Sequence, residues 1–254
     1  MQRMFRMRFK KQILAEFLPP SRPQKPTKVI ILCDGMPSIP RKQPLAEFLS
    51  RHGYWVVYPR YRGAWESGGV FLQKSPHQDI LDIVDELPKG VRDIAFGQKF
   101  SLSPEDTFVI GTSFGGPAAI LSSLDSRIKR VLAICPVVDW SNLKSSEKAE
   151  TSNPDYIAYL REAFGNGYRL SARNWNKLRT GRFYNPVHHL EKIDPGKIMM
   201  FHAKDDPYVP WKTVAQFAER TGARLRLFAK GGHLRTDHIV RNYWPQIHRF
   251  FSAA

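Results

Sequence analysis

Cysteine is scarce in this sequence. Only Cys33 and Cys135 occur among 254 residues, and each ends an apolar run. This count excludes a disulfide-rich secreted scaffold and the repeated cysteine spacings of zinc-binding modules. Cysteines at the ends of apolar runs are typical of reduced thiols inside a core. We therefore expect two free, buried cysteines.

Long hydrophobic runs are also missing. No stretch approaches the roughly 18 apolar residues that a membrane-spanning helix needs. The apolar segment 13–18, which follows a basic N-terminal stretch, is short and is interrupted by Glu16, unlike the core of a secretory signal peptide. The sequence therefore predicts neither a transmembrane segment nor a signal peptide, and we expect a soluble, cytoplasmic protein.

Acidic residues are few relative to basic ones, with 23 Asp and Glu against 39 Lys and Arg and a formal net charge of +16. Residues 1–28 alone hold eight basic side chains and one acidic side chain, Glu16. Such a field attracts anionic ligands, nucleic acid or an anionic membrane surface. No RNA-binding or zinc-finger signature accompanies the excess of positive charge. The prediction of these partners therefore depends on charge alone, and a solvated basic surface is the plainer interpretation.

Short, nearly continuous apolar runs are frequent, and they predict strands buried on both faces of a parallel sheet. Amphipathic segments between them predict helices on both faces of that sheet. At 254 residues, one α/β domain spanning 1–254 is expected, with an eight-stranded, mostly parallel sheet that includes two edge strands within 9–18. The other predicted strands lie at 28–33, 54–59, 107–110, 128–136, 197–202 and 223–229, and the main helices at 44–52, 77–87, 211–220 and 237–251.

The segment 107–119, TFVIGTSFGGPAA, has the pattern of a strand, a sharp turn and a helix. Gly111 and Gly115 flank Ser113, and small residues there would let the helix approach the strand closely while Ser113 takes a strained backbone conformation. Such a turn exposes the serine hydroxyl at the carboxyl edge of the sheet. Ser113 is therefore the predicted nucleophile, although the same pattern also occurs in plain structural turns.

A candidate acid and a candidate base follow Ser113 in the order that a nucleophile needs. Asp205 and Asp206 come directly after a predicted strand, and either carboxylate would orient a histidine. His233 lies on a glycine-flanked loop after the last strand and is the predicted general base. His202, inside a strand, and His238, on the terminal helix, are the less suitable rivals.

An acyl-transfer site also needs donors for the oxyanion that forms when the serine attacks. The N–H that follows the nucleophile, on Phe114, is one predicted donor. The second is the N–H of Met36, in the turn that follows the strand 28–33, where Gly35 would permit close approach. A plain turn at 34–37 is the alternative.

A long segment, 137–185, separates two predicted strands and carries scattered aromatic residues. Because it is too long for a plain connection, residues 141–185 are predicted to form a small helical cap over the site. Its aromatic side chains would either pack within the cap or form an apolar acyl pocket.

Two further charged features are interpreted as structural. Arg62 is expected to anchor its loop by hydrogen bonds to carbonyl groups or to a carboxylate such as Asp34, although Arg62 and Glu66 have side chains capable of chemistry. Four carboxylates at 79, 82, 85 and 86 are expected at solvated helical positions. Neither a metal site nor a cofactor site is predicted.

Together these motifs resemble the α/β-hydrolase superfamily, in particular its branch of dienelactone hydrolases and prolyl-oligopeptidase-like enzymes. The resemblance covers about residues 28–251. It rests on the Asp34-Gly35 turn, the elements YRG at 61–63 and SGG at 67–69, the elbow GTSFGG at 111–116, the stretch HAKDDPYVP at 202–210, and Gly232-His233. In that branch the acid precedes the Val-Pro pair by three positions, which implies Asp206 rather than Asp205.

The sequence departs from this branch in two ways. The first turn usually reads His-Gly in the family, whereas here it is Asp34-Gly35, and an anion beside the site would affect pH dependence or substrate charge. We also expect no propeller domain within these 254 residues, whereas the larger peptidases of the branch carry one. This favours small esters over peptides.

The resulting hypothesis is a serine hydrolase with Ser113, Asp206 and His233 as its catalytic residues and with Met36 and Phe114 as its oxyanion donors. It would cleave a carboxylic ester of a small molecule through an acyl-enzyme, without a metal or an organic cofactor. One alternative is an amide hydrolase acting on small peptides or acyl-amino acids with the same triad. The other is a non-catalytic protein that binds anions through its basic surface.

Overall fold

The computed structural model describes residues 3–22, 25–141, 155–180 and 182–253. The strands are β1 (Phe5–Phe9), β2 (Ile13–Leu18), β3 (Lys28–Cys33), β4 (Tyr54–Pro59), β5 (Val91–Arg92), β6 (Lys99–Phe100), β7 (Asp106–Thr112), β8 (Ile128–Ile134), β9 (Ile198–Ala203) and β10 (Arg224–Phe228). The α-helices are α1 (Gln43–Arg51), α2 (Pro76–Glu86), α3 (Gly115–Ser122), α4 (Tyr156–Phe164), α5 (Ala172–Asn176), α6 (Trp211–Thr221), α7 (Thr236–Asn242) and α8 (Trp244–Ser252).

Eight strands form one sheet in the order β1-β2-β4-β3-β7-β8-β9-β10. The pairs β1–β2 and β2–β4 are antiparallel, and the other five neighbouring pairs are parallel. The prediction of a mostly parallel, eight-stranded α/β sheet is therefore confirmed. Because parallel strands end at the same edge, the loops after β3, β7, β8, β9 and β10 lie close together.

Two hydrophobic clusters pack on opposite faces of the sheet. One combines side chains of α2, α3 and α6 with one face of the strands, and the other combines α1, α7 and α8 with the opposite face. The strand β3 contributes alternately to both, with Ile31 in the first cluster and Ile30 in the second. Both residues are fully buried, as expected for a strand covered on both sides.

Cys33 and Cys135 are free and buried, as predicted from their positions at the ends of apolar runs. Burial raises the pKa of both thiols, which keeps them protonated and unreactive at neutral pH. Within the described residues, the helices are too short or too polar to cross a bilayer.

The structure corrects two local predictions. The first two strands do not both lie within 9–18, because β1 spans Phe5–Phe9. The terminal segment 237–251 is not one helix, because α7 ends at Asn242 and α8 begins at Trp244, with Tyr243 at φ −111° and ψ 18° between them. A short second sheet, β5 paired with β6, was not predicted. Each of its strands has only two residues, too few to show an alternating pattern in the sequence.

The expectation of four solvated carboxylates on α2 is wrong for Asp79. Asp79 is 3% exposed and accepts hydrogen bonds from the backbone N–H and the guanidinium of Arg62. A second carboxylate, Asp82, accepts from Arg62 at 2.6 Å. Arg62 thus anchors its loop, as predicted, but to α2 rather than to Asp34. Burial of Asp79 is tolerated because a guanidinium satisfies it.

His77 gives the fold a pH dependence that can be tested. Burial, followed by the nearby His189, lowers the pKa of His77 from its ordinary value of 6.5 to about 4. The unfolded chain then binds the proton at a higher pH than the folded chain does. The stability contributed by neutral His77 is therefore present above pH 6.5 and is lost as the pH falls toward 4.

We expect the free energy of unfolding of the wild type to fall by about 2 kcal/mol more than that of His77→Gln between pH 6.5 and pH 5. Urea denaturation of both proteins at the two pH values measures this difference. His238→Gln, at an exposed position of α7, is the matched control and should follow the wild type. An equal change in the free energy of unfolding for His77→Gln and the wild type between the two pH values would contradict the prediction.

Candidate active site

The turn between β7 and α3 holds Ser113 in a left-handed backbone conformation, with φ 52°. Positive φ is uncommon for a residue with a side chain and costs roughly 1–3 kcal/mol. The backbone N–H of Ser113 donates to the Ile134 carbonyl at 2.9 Å, which ties the turn to β8. The sharp turn predicted from the sequence is therefore present.

The glycines around Ser113 are required by close backbone approach. A Cβ on Gly111 would overlap the carbonyl of Gly115, and a Cβ on Gly115 would lie 2.6 Å from the carbonyl oxygen of Asp34. A Cβ on Gly35 would lie 3.2 Å from the Cβ of Ser113. The loop after β3 therefore lies directly against the serine.

Asp206 and His233 meet although they come from separate loops. His233 Nδ1 lies 2.8 Å from Asp206 Oδ2, the Asp206 side chain is fully buried, and the His233 side chain is 25% exposed. The other carboxylate oxygen, Oδ1, accepts the N–H groups of Tyr208 at 2.9 Å and Val209 at 3.1 Å. Burial opposes ionisation of Asp206, but His233 and these N–H groups together hold its pKa below the ordinary value.

The alternative candidates for the acid and the base lie elsewhere in the structure. Asp205 is exposed and accepts the N–H of Gly232 at 2.8 Å, so it supports the loop that carries His233. His238 is exposed on α7, and its ring lies near Asn242. His202 is fully buried in β9, and its Nε2 lies 3.0 Å from the Val209 carbonyl oxygen.

A buried cluster lies behind Asp206. A ligand atom from each of Cys135, His202 and Asp206 lies within 4.8 Å of the other two, and no other such trio occurs in the described part of the chain. Protein groups already engage two of these residues, because His202 Nε2 lies 3.0 Å from the Val209 carbonyl oxygen and Asp206 binds His233. The Cys135 sulfur accepts the N–H of Leu234 at 3.4 Å, so Cys135 contacts both the loop that carries Asp206 and the loop that carries His233.

Ser113 and His233 line one cavity of about 660 Å3, together with Met36 and Phe114. The hydrogen bonds among described residues do not include one between Ser113 and His233. Contacts of this kind often tighten only when substrate is bound. The cavity thus brings together four of the five predicted site residues, and Asp206 lies buried behind His233.

The predicted oxyanion donors are two backbone N–H groups. Within the described residues, neither the N–H of Met36 nor that of Phe114 is used in a hydrogen bond. The Phe114 carbonyl, in contrast, accepts a short hydrogen bond from the hydroxyl of Tyr184. Met36, Phe114 and Ser113 line the same cavity, so both N–H groups belong to residues beside the serine.

Asp34 is not a free anion beside the serine. Its carboxylate accepts hydrogen bonds from the hydroxyls of Tyr58 at 2.5 Å and Ser38 at 3.0 Å, and Lys42 Nζ lies 3.3 Å from it. Its carbonyl accepts from the hydroxyl of Tyr61 at 3.1 Å. These contacts neutralise the charge and give Asp34 a structural role in the loop 34–38.

Part of the insertion holds this same loop. The Tyr168 hydroxyl accepts the Ser38 N–H at 2.8 Å and lies 3.2 Å from the Ser38 carbonyl oxygen, to which it can donate. Residues 167–169 are in turn bonded to the loop 63–71, through Trp65 N–H to Gly167 and Phe71 N–H to Arg169. Of the predicted cap, residues 142–154 and 181 lie outside the described part. The described remainder includes α4 and α5.

Sequence reasoning missed the roles of Tyr168, Tyr184 and Cys135. The hydrogen bond between Tyr168 and Ser38 joins positions 130 residues apart, and no local pattern marks such a pair. Cys135 was expected to be buried, but its contact with Asp206 depends on the register of β8 and β9, where Ile134 faces Phe201. For Tyr184 the sequence offers one usable signal, which is its position as an aromatic residue close to the point where the insertion returns to the sheet.

Comparison with known proteins identifies relatives of this chain. The model of the prolyl oligopeptidase family matches residues 43–251. Among solved structures, an esterase of Pyrococcus furiosus shares 18% identity at a TM-score of 0.66, covering 98% of this chain and 89% of that one. Est1E from Butyrivibrio proteoclasticus shares 17% identity at a TM-score of 0.67, with 100% of both chains covered.

An acylaminoacyl peptidase of Pyrococcus horikoshii shares 16% identity at a TM-score of 0.66, covering 98% of this chain. This chain spans only 41% of that peptidase. At these identities the likeness shows the α/β-hydrolase fold. The curated proteins include no match to the sequence.

The hydrogen bonds of Tyr168 predict an effect on turnover. In Tyr168→Phe the Ser38 N–H loses its acceptor, which should cost about 1–3 kcal/mol of stability and loosen the loop that carries Met36. If Met36 donates to the transition state, kcat for an activated ester should fall about tenfold while KM changes little. Steady-state kinetics and urea denaturation measure the two effects.

Tyr243→Phe is the matched control, because it removes a tyrosine hydroxyl between α7 and α8, on the other face of the sheet. Its kcat should equal that of the wild type. A Tyr168→Phe variant with unchanged kcat would show that this contact does not position the loop for catalysis.

Proposed function

Because the chain belongs to the prolyl oligopeptidase family and is a serine hydrolase, we propose that it cleaves carboxylic esters of small molecules through Ser113, His233 and Asp206. The observation that carries this proposal is the 2.8 Å contact between His233 Nδ1 and the buried Asp206 carboxylate, beside a cavity that Ser113 lines. Family membership favours an enzyme over the alternative of a non-catalytic, anion-binding protein.

In the proposed first step, His233 Nε2 takes the hydroxyl proton of Ser113 while the serine oxygen attacks the carbonyl carbon. The Nδ1–H of His233 remains bonded to Asp206, which fixes the tautomer and stabilises the imidazolium. Asp206 suits this role because its lowered pKa keeps it ionised at neutral pH. The N–H groups of Met36 and Phe114 bind the tetrahedral oxyanion.

The imidazolium then returns its proton to the leaving-group oxygen, and the acyl group remains on Ser113. Water enters, His233 removes its proton, and the acyl-enzyme is hydrolysed through a second oxyanion in the same place. The left-handed backbone of Ser113 supports this route, because a turn of this kind exposes the nucleophile, and Ser113 lines the cavity.

An amide substrate is the second candidate, since the same residues would expel an amine. Its support is the family match and the structural likeness to an acylaminoacyl peptidase. The cavity, at about 660 Å3, has room for a small acyl-amino acid as well as for an ester. The buried, reduced thiols Cys33 and Cys135 support a cytoplasmic setting for either reaction.

Parallel assays on p-nitrophenyl butanoate and on an acyl-amino acid p-nitroanilide separate the two candidates. We expect the ester to be cleaved with the higher kcat/KM. Ser113→Ala should lose at least about a thousandfold in kcat on the better substrate. Ser101→Ala, at an exposed loop position, is the control and should retain wild-type activity.

Full activity in a pure Ser113→Ala preparation would overturn the assignment of the nucleophile. A preference for the anilide would replace the ester with the amide as the substrate class, with the same catalytic residues.

A further inference from the structure

The walls of the cavity beside Ser113 differ in chemistry. One wall comes from the insertion and is aromatic, with the Tyr156 and Trp175 rings stacked at 5.2 Å and the Tyr159 ring 5.7 Å from that of Tyr156. Another wall carries the cations Arg41, Lys42 and Arg235. A cavity with an apolar side and a cationic side suits a ligand that is itself divided into an apolar and an anionic part.

The cations form one group rather than a scatter. Arg41 and Lys42 directly precede α1, whereas Arg235 follows His233 by two residues. The two segments touch, because Lys42 Nζ lies 3.4 Å from the hydroxyl of Thr236. The positive side of the cavity is therefore the side on which His233 lies.

This positive side keeps an excess of charge after internal pairing. Lys42 Nζ lies 3.3 Å from Asp34, and Arg235 lies 3.3 Å from Asp237. Arg41 makes no ion pair with any residue that the structure describes, although it lines the cavity. Among the described residues on this side, one positive charge is left without an acidic partner, which matches a ligand with a single negative charge better than a doubly charged phosphate.

The mechanism indicates that the leaving group is the part of the substrate that carries this negative charge. His233 returns its proton to the leaving group, so the leaving group must lie on the His233 side of the cavity. We propose that the substrate is an ester or amide whose leaving group carries a carboxylate held by Arg41, with Arg235 beside it, and whose acyl part is apolar and packs on the aromatic wall. This inference rests on the proposed function. The net charge of +16 would also draw such anions toward the protein.

A matched pair of substrates tests the inference. One is the butanoyl ester of 4-hydroxybenzoate, which carries a carboxylate on the leaving group, and the other is the butanoyl ester of methyl 4-hydroxybenzoate, which does not. For each ester, kcat/KM is divided by the rate of alkaline hydrolysis, which corrects for its intrinsic reactivity. The ratio of the corrected value for the carboxylate ester to that for the methyl ester measures recognition of the charge. In the wild type at low salt we expect this ratio to be about threefold or more, and to fall toward one in 1 M NaCl.

Arg41→Gln should lower this ratio by about threefold, and Arg235→Gln should lower it in the same direction. Arg51→Gln is the matched control, because it removes the same charge from the far end of α1, at an exposed position outside the cavity, and should leave the ratio as in the wild type. A wild-type ratio of one or less, or an equal effect of Arg41→Gln and Arg51→Gln, would overturn the inference.

Failure of the inference can be told apart from failure of the proposed function. If both esters are cleaved and Ser113 reacts with a fluorophosphonate, but the carboxylate brings no preference, only the inference falls. If neither ester is cleaved and Ser113 does not react, the proposed function falls and the inference falls with it.

Discussion

The backbone of the turn at Ser113 is the constraint on which the rest of the site depends. A non-glycine residue at φ 52° is held there because β7, α3 and the loop after β3 approach without intervening side chains. Gly111 and Gly115 permit this approach, and methyl groups at these positions would meet backbone oxygens. The strain at Ser113 is therefore balanced by packing of the surrounding elements, and it leaves the hydroxyl at the carboxyl edge of the sheet.

The same close approach orders the neighbouring loop. The charge of Asp34 is satisfied by Lys42, Tyr58 and Ser38 rather than directed at a substrate. Tyr168, from the insertion, bonds to the backbone of Ser38 in the same loop. These contacts hold the loop at several points, and no described residue accepts the N–H of Met36, which agrees with its proposed role as an oxyanion donor.

Much of this arrangement could be predicted from the sequence because it depends on local patterns. The apolar runs indicated the core strands, and the glycines around Ser113 indicated the turn. The order of Ser113, an aspartate at 205 or 206, and His233 along the chain indicated which strand ends should meet, and the family resemblance selected Asp206. The pairing of Arg62 with Asp79 and the contact of Cys135 with Asp206 were not predictable in this way, because each depends on tertiary packing between separate elements. The break at Tyr243, in contrast, has a local signal, since Pro245 lies in the first turn of α8.

The central claim is that Asp206 and His233 activate the hydroxyl of Ser113. The rate and site of fluorophosphonate labelling, followed by intact mass and peptide mapping, test it most directly. We expect one adduct per chain, located on Ser113, and a labelling rate at least about a hundredfold lower in His233→Ala. An adduct on another residue, or equal labelling rates in the wild type and His233→Ala, would contradict it.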